Sequence, residues 1–191
     1  MYSKIKDKVV IVTGASSGIG KACVEEFANR GAKVVFCART INKLKEIEQN
    51  LKDKGLEVFA VKTDVTIEEE CKALIDITVK KYGTIDVLIN NAGISMRALF
   101  KDVNIKVIKK LMDVNFWGTV YCTKFALPYL LESKGSVVGV TSIAGFHGLP
   151  GRSGYSASKF AMHGFLETIR GLLGQVAGSI HPLFIHVDAM D

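Results

Sequence analysis

The feature that most restricts this chain is an alternation between two hydrophobic periods. Lys8 to Thr13, Lys33 to Ala38, Glu57 to Lys62, Asp86 to Asn90 and Ser136 to Thr141 are short, Val/Ile-rich runs of strand type. Between them lie longer stretches with helical spacing: Ile19, Cys23 and Phe27; Leu44, Ile47 and Leu51; Leu74, Ile75 and Val79; Val114, Trp117, Tyr121 and Phe125. Near-continuous apolar strands belong to parallel sheets covered on both faces, and parallel strands need helical crossovers, which are right-handed. The expectation is an α/β fold, a doubly wound parallel sheet forming a single domain over residues 1–191. A chain of 191 residues, 48% hydrophobic, can bury one sizeable core, and no repeat or linker divides it.

Charge and cysteines narrow the partners. The net charge of +6 is mild, and its lysines are interleaved with acids, as in Lys43 to Lys54. That is the pattern of a solvated helix face and argues against nucleic acid. Cys23, Cys37, Cys71 and Cys122 include no Cys-x-x-Cys and read as reduced thiols filling the core. Met1 to Lys8 has no apolar h-region and no run reaches the length of a membrane span, so a cytoplasmic chain without a membrane partner is expected. His181 and His186 are too sparse for a metal site and flank a possible last strand.

The first strand runs straight into Thr13-Gly14-Ala15-Ser16-Ser17-Gly18-Ile19-Gly20. Glycines at 14, 18 and 20 allow a sharp strand-to-helix turn and close approach of backbone to a ligand. The following helix points its free N–H groups and positive dipole end at that turn, where a pyrophosphate is the natural guest. The second strand ends at Arg39, where a fold preferring NAD would place a carboxylate for the ribose 2′-hydroxyl. A guanidinium there can fork onto a 2′-phosphate, stack on adenine or stay solvated; NADP is favoured over NAD. Asp64, after the third strand, is either an acceptor for the adenine amino group or an N-cap or Asx-turn residue.

Asn90-Asn91-Ala92-Gly93 falls at the carboxyl edge of the fourth strand, beside which ligands of such sheets bind. Asn115 interrupts an apolar helical stretch, so its amide is expected to bond either to backbone or to a functional water. Ser142 ends the fifth strand and is either a cap or a hydroxyl held over the site by a glycine-rich loop carrying Phe146 and Leu149. Finally, Tyr155 and Lys159 in Gly154-Tyr155-Ser156-Ala157-Ser158-Lys159 stand four apart, one turn along a helix face. A phenol with a pKa of about 10 is a poor base at neutrality. An ammonium about 5 Å away, at an effective dielectric of about 20, would favour the phenolate by at most roughly 3 kcal/mol, or about two pKa units. Such a pair could perform general acid–base work; a solvated Lys beside a helix-start Tyr is the plainer alternative.

In combination, TGASSGIG at Thr13 to Gly20, NNAG at Asn90 to Gly93, Asn115, Ser142 and YSASK at Tyr155 to Lys159 resemble the short-chain dehydrogenase/reductase family, over Lys6 to about Arg170. The resemblance implies a Rossmann-like nucleotide-binding fold and a set of roles. Tyr155 would exchange a proton with the substrate oxygen while hydride moves to or from the nicotinamide, and Lys159 would hold the nicotinamide ribose and depress the Tyr155 pKa. Ser142 would bond the carbonyl or alcohol, and Asn115 would seat a water linking Lys159 to solvent. Gly14, Ser17 and Ile19 would line the pyrophosphate, Asp64 and Val65 the adenine, and Asn90 and Ala92 the adjoining ribose. Ser16, Gly18, Gly20 and Gly93 belong to the same cofactor-binding set, and Arg39 resembles NADP-preferring members.

Beyond Arg170 the family's Pro-Gly turn and substrate lid are not recognisable, although Leu183 to Val187 can add a strand. Phe160, Phe165, Ile169 and Leu172 form an expected buried stripe of the last helix, which in that family also often joins subunits into a homo-oligomer. The implied activity is interconversion of a carbonyl and a secondary alcohol with NADP(H), in the reducing direction. Phe146, Leu149 and Met96 to Phe100 point to a small apolar carbonyl or alcohol substrate. The alternative is a catalytically silent nucleotide-binding or interaction protein of the same fold.

Overall fold

The computed structural model of the chain describes residues 5–176 and 183–187. Six parallel strands form one sheet: β1 (Val9–Thr13), β2 (Lys33–Ala38), β3 (Val58–Lys62), β4 (Val87–Asn90), β5 (Ser136–Ser142) and β6 (Leu183–Val187). Their order is β3-β2-β1-β4-β5-β6, so the chain reverses direction across the sheet between β1 and β4. All five expected runs are strands, and the last one pairs alongside β5, Val138 to Leu183 through Ser142 to Val187. His186, expected to flank β6, lies inside it; His181 and the segment after Val187 fall outside the described residues.

Side chains of β1 alternate between two cores. Val10 and Val12 face α1 (Gly18–Asn29) and α2 (Ile41–Lys52), while Ile11 faces α3 (Glu68–Tyr82), α5 (Gly118–Glu132) and α6 (Ser153–Val176). Every β1 residue is therefore buried, which explains the unbroken Val9-Val10-Ile11-Val12 run. A short helix, α4 (Ile105–Leu111), leads through a π-helical segment, Met112–Trp117, into α5.

Two helices bury a different face from the one their large apolar residues indicated. In α1 the buried positions are Gly20, Val24 and Ala28; Ile19 is 38% exposed. In α5 they include Gly118, Cys122, Ala126 and Leu130, whereas Trp117 is 43% exposed. Small residues win the seats nearest the sheet because they let the helix axis approach it. A Cβ on Gly118 would stand 2.8 Å from a Val65 methyl. Aromatic residues then flank the contact: Trp117 stacks on Tyr121, and Phe116 meets Phe165 edge to face. On α6, likewise, Met162 and Leu166 are buried while Phe160, expected in the stripe, is exposed; Phe165 and Ile169 are partly buried.

Gly139 on β5 is what lets α6 settle, since a Cβ there would lie 2.3 Å from a Leu166 methyl and 3.1 Å from that of Met162. Replacing Gly139→Val should overpack this contact and lower stability by about 1–3 kcal/mol, measured by urea unfolding.

Candidate functional site

The loops that follow β1 and β4 meet at the carboxyl edge of the sheet, where strand order reverses. Thr13 Oγ1 accepts the N–H groups of Asn91 and Ala92 at 3.1 and 3.0 Å, and the Asn91 amide donates to the carbonyls of Thr13 and Gly14 at 2.8 and 3.1 Å. Glycine is required on the other side of this seam. Gly14 has φ +67°, and a Cβ on it would stand 2.6 Å from Ala92 Cα; one on Gly20 would stand 2.4 Å from the Asn91 amide nitrogen. Gly18, at φ +55°, has open space where a side chain would be, so conformation alone selects glycine there. Ser17 caps α1 without a side-chain hydrogen bond, and no acid stands in its first turn. The amides at this helix end are left to an anion.

A cavity of about 300 Å³ runs from this turn across the sheet edge. Gly14, Ser16, Ser17, Ile19 and Gly20 line one side, and Arg39, Asp64, Val65, Ala92 and Gly93 the other. Asp64 lines the cavity and is an Asx-turn residue, its Oδ1 accepting from Thr66 N and Oγ1 at 3.0 and 2.8 Å. Of the expected cofactor-binding residues around this cavity, Gly18 and Asn90 do not line it. The Asn90 side chain is buried beneath the edge and donates to Thr123 Oγ1 at 3.0 Å, and Asn91 takes its place on the wall. A strand alternates its side chains between faces, and the residue that points out cannot be picked from the Asn-Asn pair alone.

A second cavity, about 190 Å³, shares Ile19, Asn91, Gly93 and Ile94 with the first and reaches Ser95, Thr141, Tyr155 and Lys159. Helix α6 starts at Ser153, so Tyr155 and Lys159 do stack one turn apart, with the ammonium 5.9 Å from the ring centroid. Lys159 is 4% exposed and donates to the Val140 carbonyl at 2.8 Å. Burial pulls its pKa from 10.5 down to about 8. Thr141 was missed in the sequence, yet it lines this cavity, and its buried hydroxyl has no partner among the described residues. No signal in the Thr-Ser pair distinguishes it from Ser142.

Asn115 is fully buried in the π-helical segment. Its Oδ1 accepts Ile94 N–H at 2.8 Å, and its amide donates to Ile94 O at 3.0 Å and Ser158 Oγ at 2.8 Å. It thereby pins the loop after β4 to α6. A Cβ on Gly93 would lie 3.4 Å from Asn115 Oδ1 and 3.6 Å from Lys159 Nζ, so the hydrogen at that position leaves a gap between the two polar groups. Ser142 lines neither cavity; its hydroxyl accepts from Ala144 N at 3.2 Å and caps the turn Ile143–Gly145. Leu149 and Met96 pack beside Tyr155, whereas Phe146 turns away to meet the His163 ring at 4.2 Å.

An open parallel sheet with a glycine turn at its switch point and a Tyr/Lys pair beside it is the arrangement of a Rossmann-like domain. The model of the short chain dehydrogenase family matches residues 8–186, and the chain belongs to that family. It is 41% identical to an 11-beta-hydroxysteroid dehydrogenase A of Sesamum indicum over 176 residues, covering 91% of this chain and 51% of the relative. It is 37% identical to an uncharacterized oxidoreductase of Bacillus subtilis over 190 residues, 98% of this chain and 53% of that protein. The chain thus spans about half the length of the curated relatives it matches. A crystal structure of a short chain dehydrogenase/reductase from Burkholderia phymatum in complex with NAD superposes with a TM-score of 0.92 at 28% identity, covering 96% of this chain and 66% of that one. An alcohol dehydrogenase from Thermococcus sibiricus complexed with 5-hydroxy-NADP gives 0.86 at 26%, over 94% and 74%.

Two outcomes follow from the geometry. Gly14→Ala should cost about 1–3 kcal/mol of stability in denaturant, from the positive φ and the Ala92 backbone behind it. For Lys159, the unfolded chain holds its proton up to about pH 10.5 while the folded chain releases it near 8, so folding carries the full penalty of a buried cation below pH 8 and is relieved of it as pH rises to 10.5. The stability gap between wild type and Lys159→Met should therefore change by on the order of 3 kcal/mol in favour of wild type across that window. Urea midpoints taken at a series of pH values measure it.

Proposed function

We propose that the chain is an NADP-dependent oxidoreductase that interconverts a carbonyl and a secondary alcohol, with Tyr155 as general acid/base. The observation that carries this is the junction of the two cavities. A groove of about 300 Å³ over the glycine turn opens, through Ile19, Asn91, Gly93 and Ile94, onto the space faced by Tyr155 and Lys159. The unpartnered Thr141 hydroxyl, the uncapped start of α1 and the turn that only glycines can make all fit a bound dinucleotide. When bound, that group supplies or accepts a hydride.

The chain's own residues would do the rest. The first-turn amides of α1 and the backbone at Gly14, Ser16, Ser17, Gly18, Ile19 and Gly20 hold the pyrophosphate. Asp64 and Val65 border the adenine, and the Arg39 guanidinium beside them accepts a 2′-phosphate, favouring NADP over NAD. Asn91, Ala92 and Gly93 form the floor, with Asn90 supporting it from below. Lys159 bonds the nicotinamide ribose and stabilises negative charge developing on the Tyr155 oxygen. A water seated over Gly93, between Asn115 and Lys159, carries the proton to solvent. The substrate is an apolar carbonyl or alcohol, matching Ile94, Met96 and Leu149 around Tyr155.

Residues 1–191 act as one nucleotide-binding unit. Among the described residues no helix is long and apolar enough to cross a membrane. Burial pushes the Cys37 thiol up to about 12, and free thiols at Cys37, Cys71 and Cys122 suit the cytoplasm. The exposed Trp117 and Phe160 on α5 and α6 offer a face for a second copy in a homo-oligomer.

Tyr155→Phe should lower turnover by about 10²–10⁴-fold. Its NADPH affinity, read by fluorescence titration, should stay near that of the wild type. Undiminished turnover refutes the role of Tyr155, and binding of NADPH without turnover of any carbonyl by the wild type favours a silent nucleotide-binding protein.

A further inference from the structure

One cation beside the second cavity has no part in the mechanism. Arg152 immediately precedes α6, and its carbonyl accepts the Ser156 N–H at 2.8 Å, so it is in register with the helix. Arg152, Tyr155 and Lys159 therefore fall at i, i+3 and i+7, on one face. The Arg152 guanidinium donates to Ser95 Oγ at 2.8 Å, and Ser95 lines the cavity that Tyr155 and Lys159 face. The backbone fixes this junction, because Ala98 N–H bonds the Gly151 carbonyl at 2.9 Å.

Among the described residues the charge is unanswered: no carboxylate pairs with Arg152, and the first turn of α6 contains no acid. A cation at the positive end of a helix is unfavourable where it stands, and an anion docking there relieves it. A guanidinium carries five N–H donors in a planar fork. With one directed at Ser95, the rest can take a carboxylate in the bidentate geometry that a planar fork fits. Ile94, next to Ser95 in the chain, lines the same cavity as Tyr155 and, with Met96 and Leu149, packs against the cluster of Leu111, Ala144 and Tyr155, so an apolar side chain stands beside the polar ones there. A ligand meeting all three features has a carbonyl at one end, an apolar spacer and a carboxylate at the other.

We propose that Arg152 forms an anion-binding subsite of the substrate pocket, selecting carbonyl compounds that carry a carboxylate beyond an apolar spacer. This rests on the reading of Tyr155 as the group facing the carbonyl and goes beyond it by naming the substrate class. It also departs from the hydroxysteroid in the name of the Sesamum indicum relative.

The test uses two near-isosteric aldehydes, 4-formylbenzoate and 4-formylbenzamide, with NADPH. The wild type should favour the carboxylate in kcat/KM by about tenfold or more, the scale of a charge-assisted hydrogen bond. Arg152→Gln should bring that ratio to about one, and Arg152→Lys should restore part of it. Raising NaCl from about 0.05 to about 0.5 M should erode the ratio in the unmodified protein, which keeps the test decisive even if a variant fails to fold. Calorimetric titration with terephthalate against terephthalamide reads the subsite without turnover and should show the same preference, lost in Arg152→Gln. Equal treatment of carboxylate and amide in both assays, or a preference that survives Arg152→Gln, overturns the subsite. If neither aldehyde is reduced while calorimetry shows the preference, the proposed reaction fails and the subsite stands; if both aldehydes are reduced equally, the reverse holds.

Discussion

The structure depends on a seam only a few atoms wide, where the loop after β1 is sewn to the loop after β4. Four hydrogen bonds of 2.8 to 3.1 Å join Thr13 and Gly14 to Asn91 and Ala92. They satisfy backbone groups that each strand leaves unpaired as it exits the sheet, which would otherwise be costly to bury. The seam also explains the glycines. With Ala92 Cα 2.6 Å from where a Gly14 Cβ would be, the two loops cannot close unless that position is bare. Closure in turn aims the start of α1 at the crevice and sets Gly93 beside Lys159, so turn, helix end and cation are positioned by one contact.

The strands were legible because a strand buried on both faces has to be apolar throughout, and Val/Ile runs bounded by Gly, Asn or charged residues have few other uses. Helix positions were legible, but their buried faces were not. Pattern reading assigns the core to the largest apolar side chains, so Trp117 and Phe160 looked internal. In a helix laid on a sheet the decisive quantity is the approach distance, and Gly20, Gly118 and Ala126 are buried because they are small. The π-helical segment at Met112–Trp117 adds a second obstacle: it shifts angular register within the helix, and nothing in Met112-Asp113-Val114-Asn115 announces it.

At the site, motifs located the region but not every direction. Local spacing brought Tyr155 and Lys159 together, since i and i+4 share a face whatever the rest of the chain does. Asn115 was recognisable as an amide needing buried partners, though not which ones; Ile94 and Ser158 come from two other segments. Asn91 and Thr141 were indistinguishable from the neighbours Asn90 and Ser142, because the choice between adjacent side chains is made by the twist and end-point of a strand. Arg152 was passed over because its meaning depends on Ser95, 57 positions away.

The electrostatic argument changes most between sequence and structure. From spacing alone, Lys159 is a fixed charge acting on a titrating phenol. In the folded chain the ammonium is itself the tunable group: burial pulls it down to about 8, and among the described residues its oxygen partner is the Val140 carbonyl. Any ligand that presents hydroxyl oxygens to Nζ returns hydration that folding removed and moves the pKa back up. Ligand binding and protonation of Lys159 are then linked, so that above pH 8 binding must draw a proton from solvent. Gly93 borders that cation: a Cβ there would lie 3.4 Å from Asn115 Oδ1 and 3.6 Å from Lys159 Nζ, so a larger residue would put carbon beside both polar groups. Charge at the centre of the pocket is thus set by the occupant as much as by the fold.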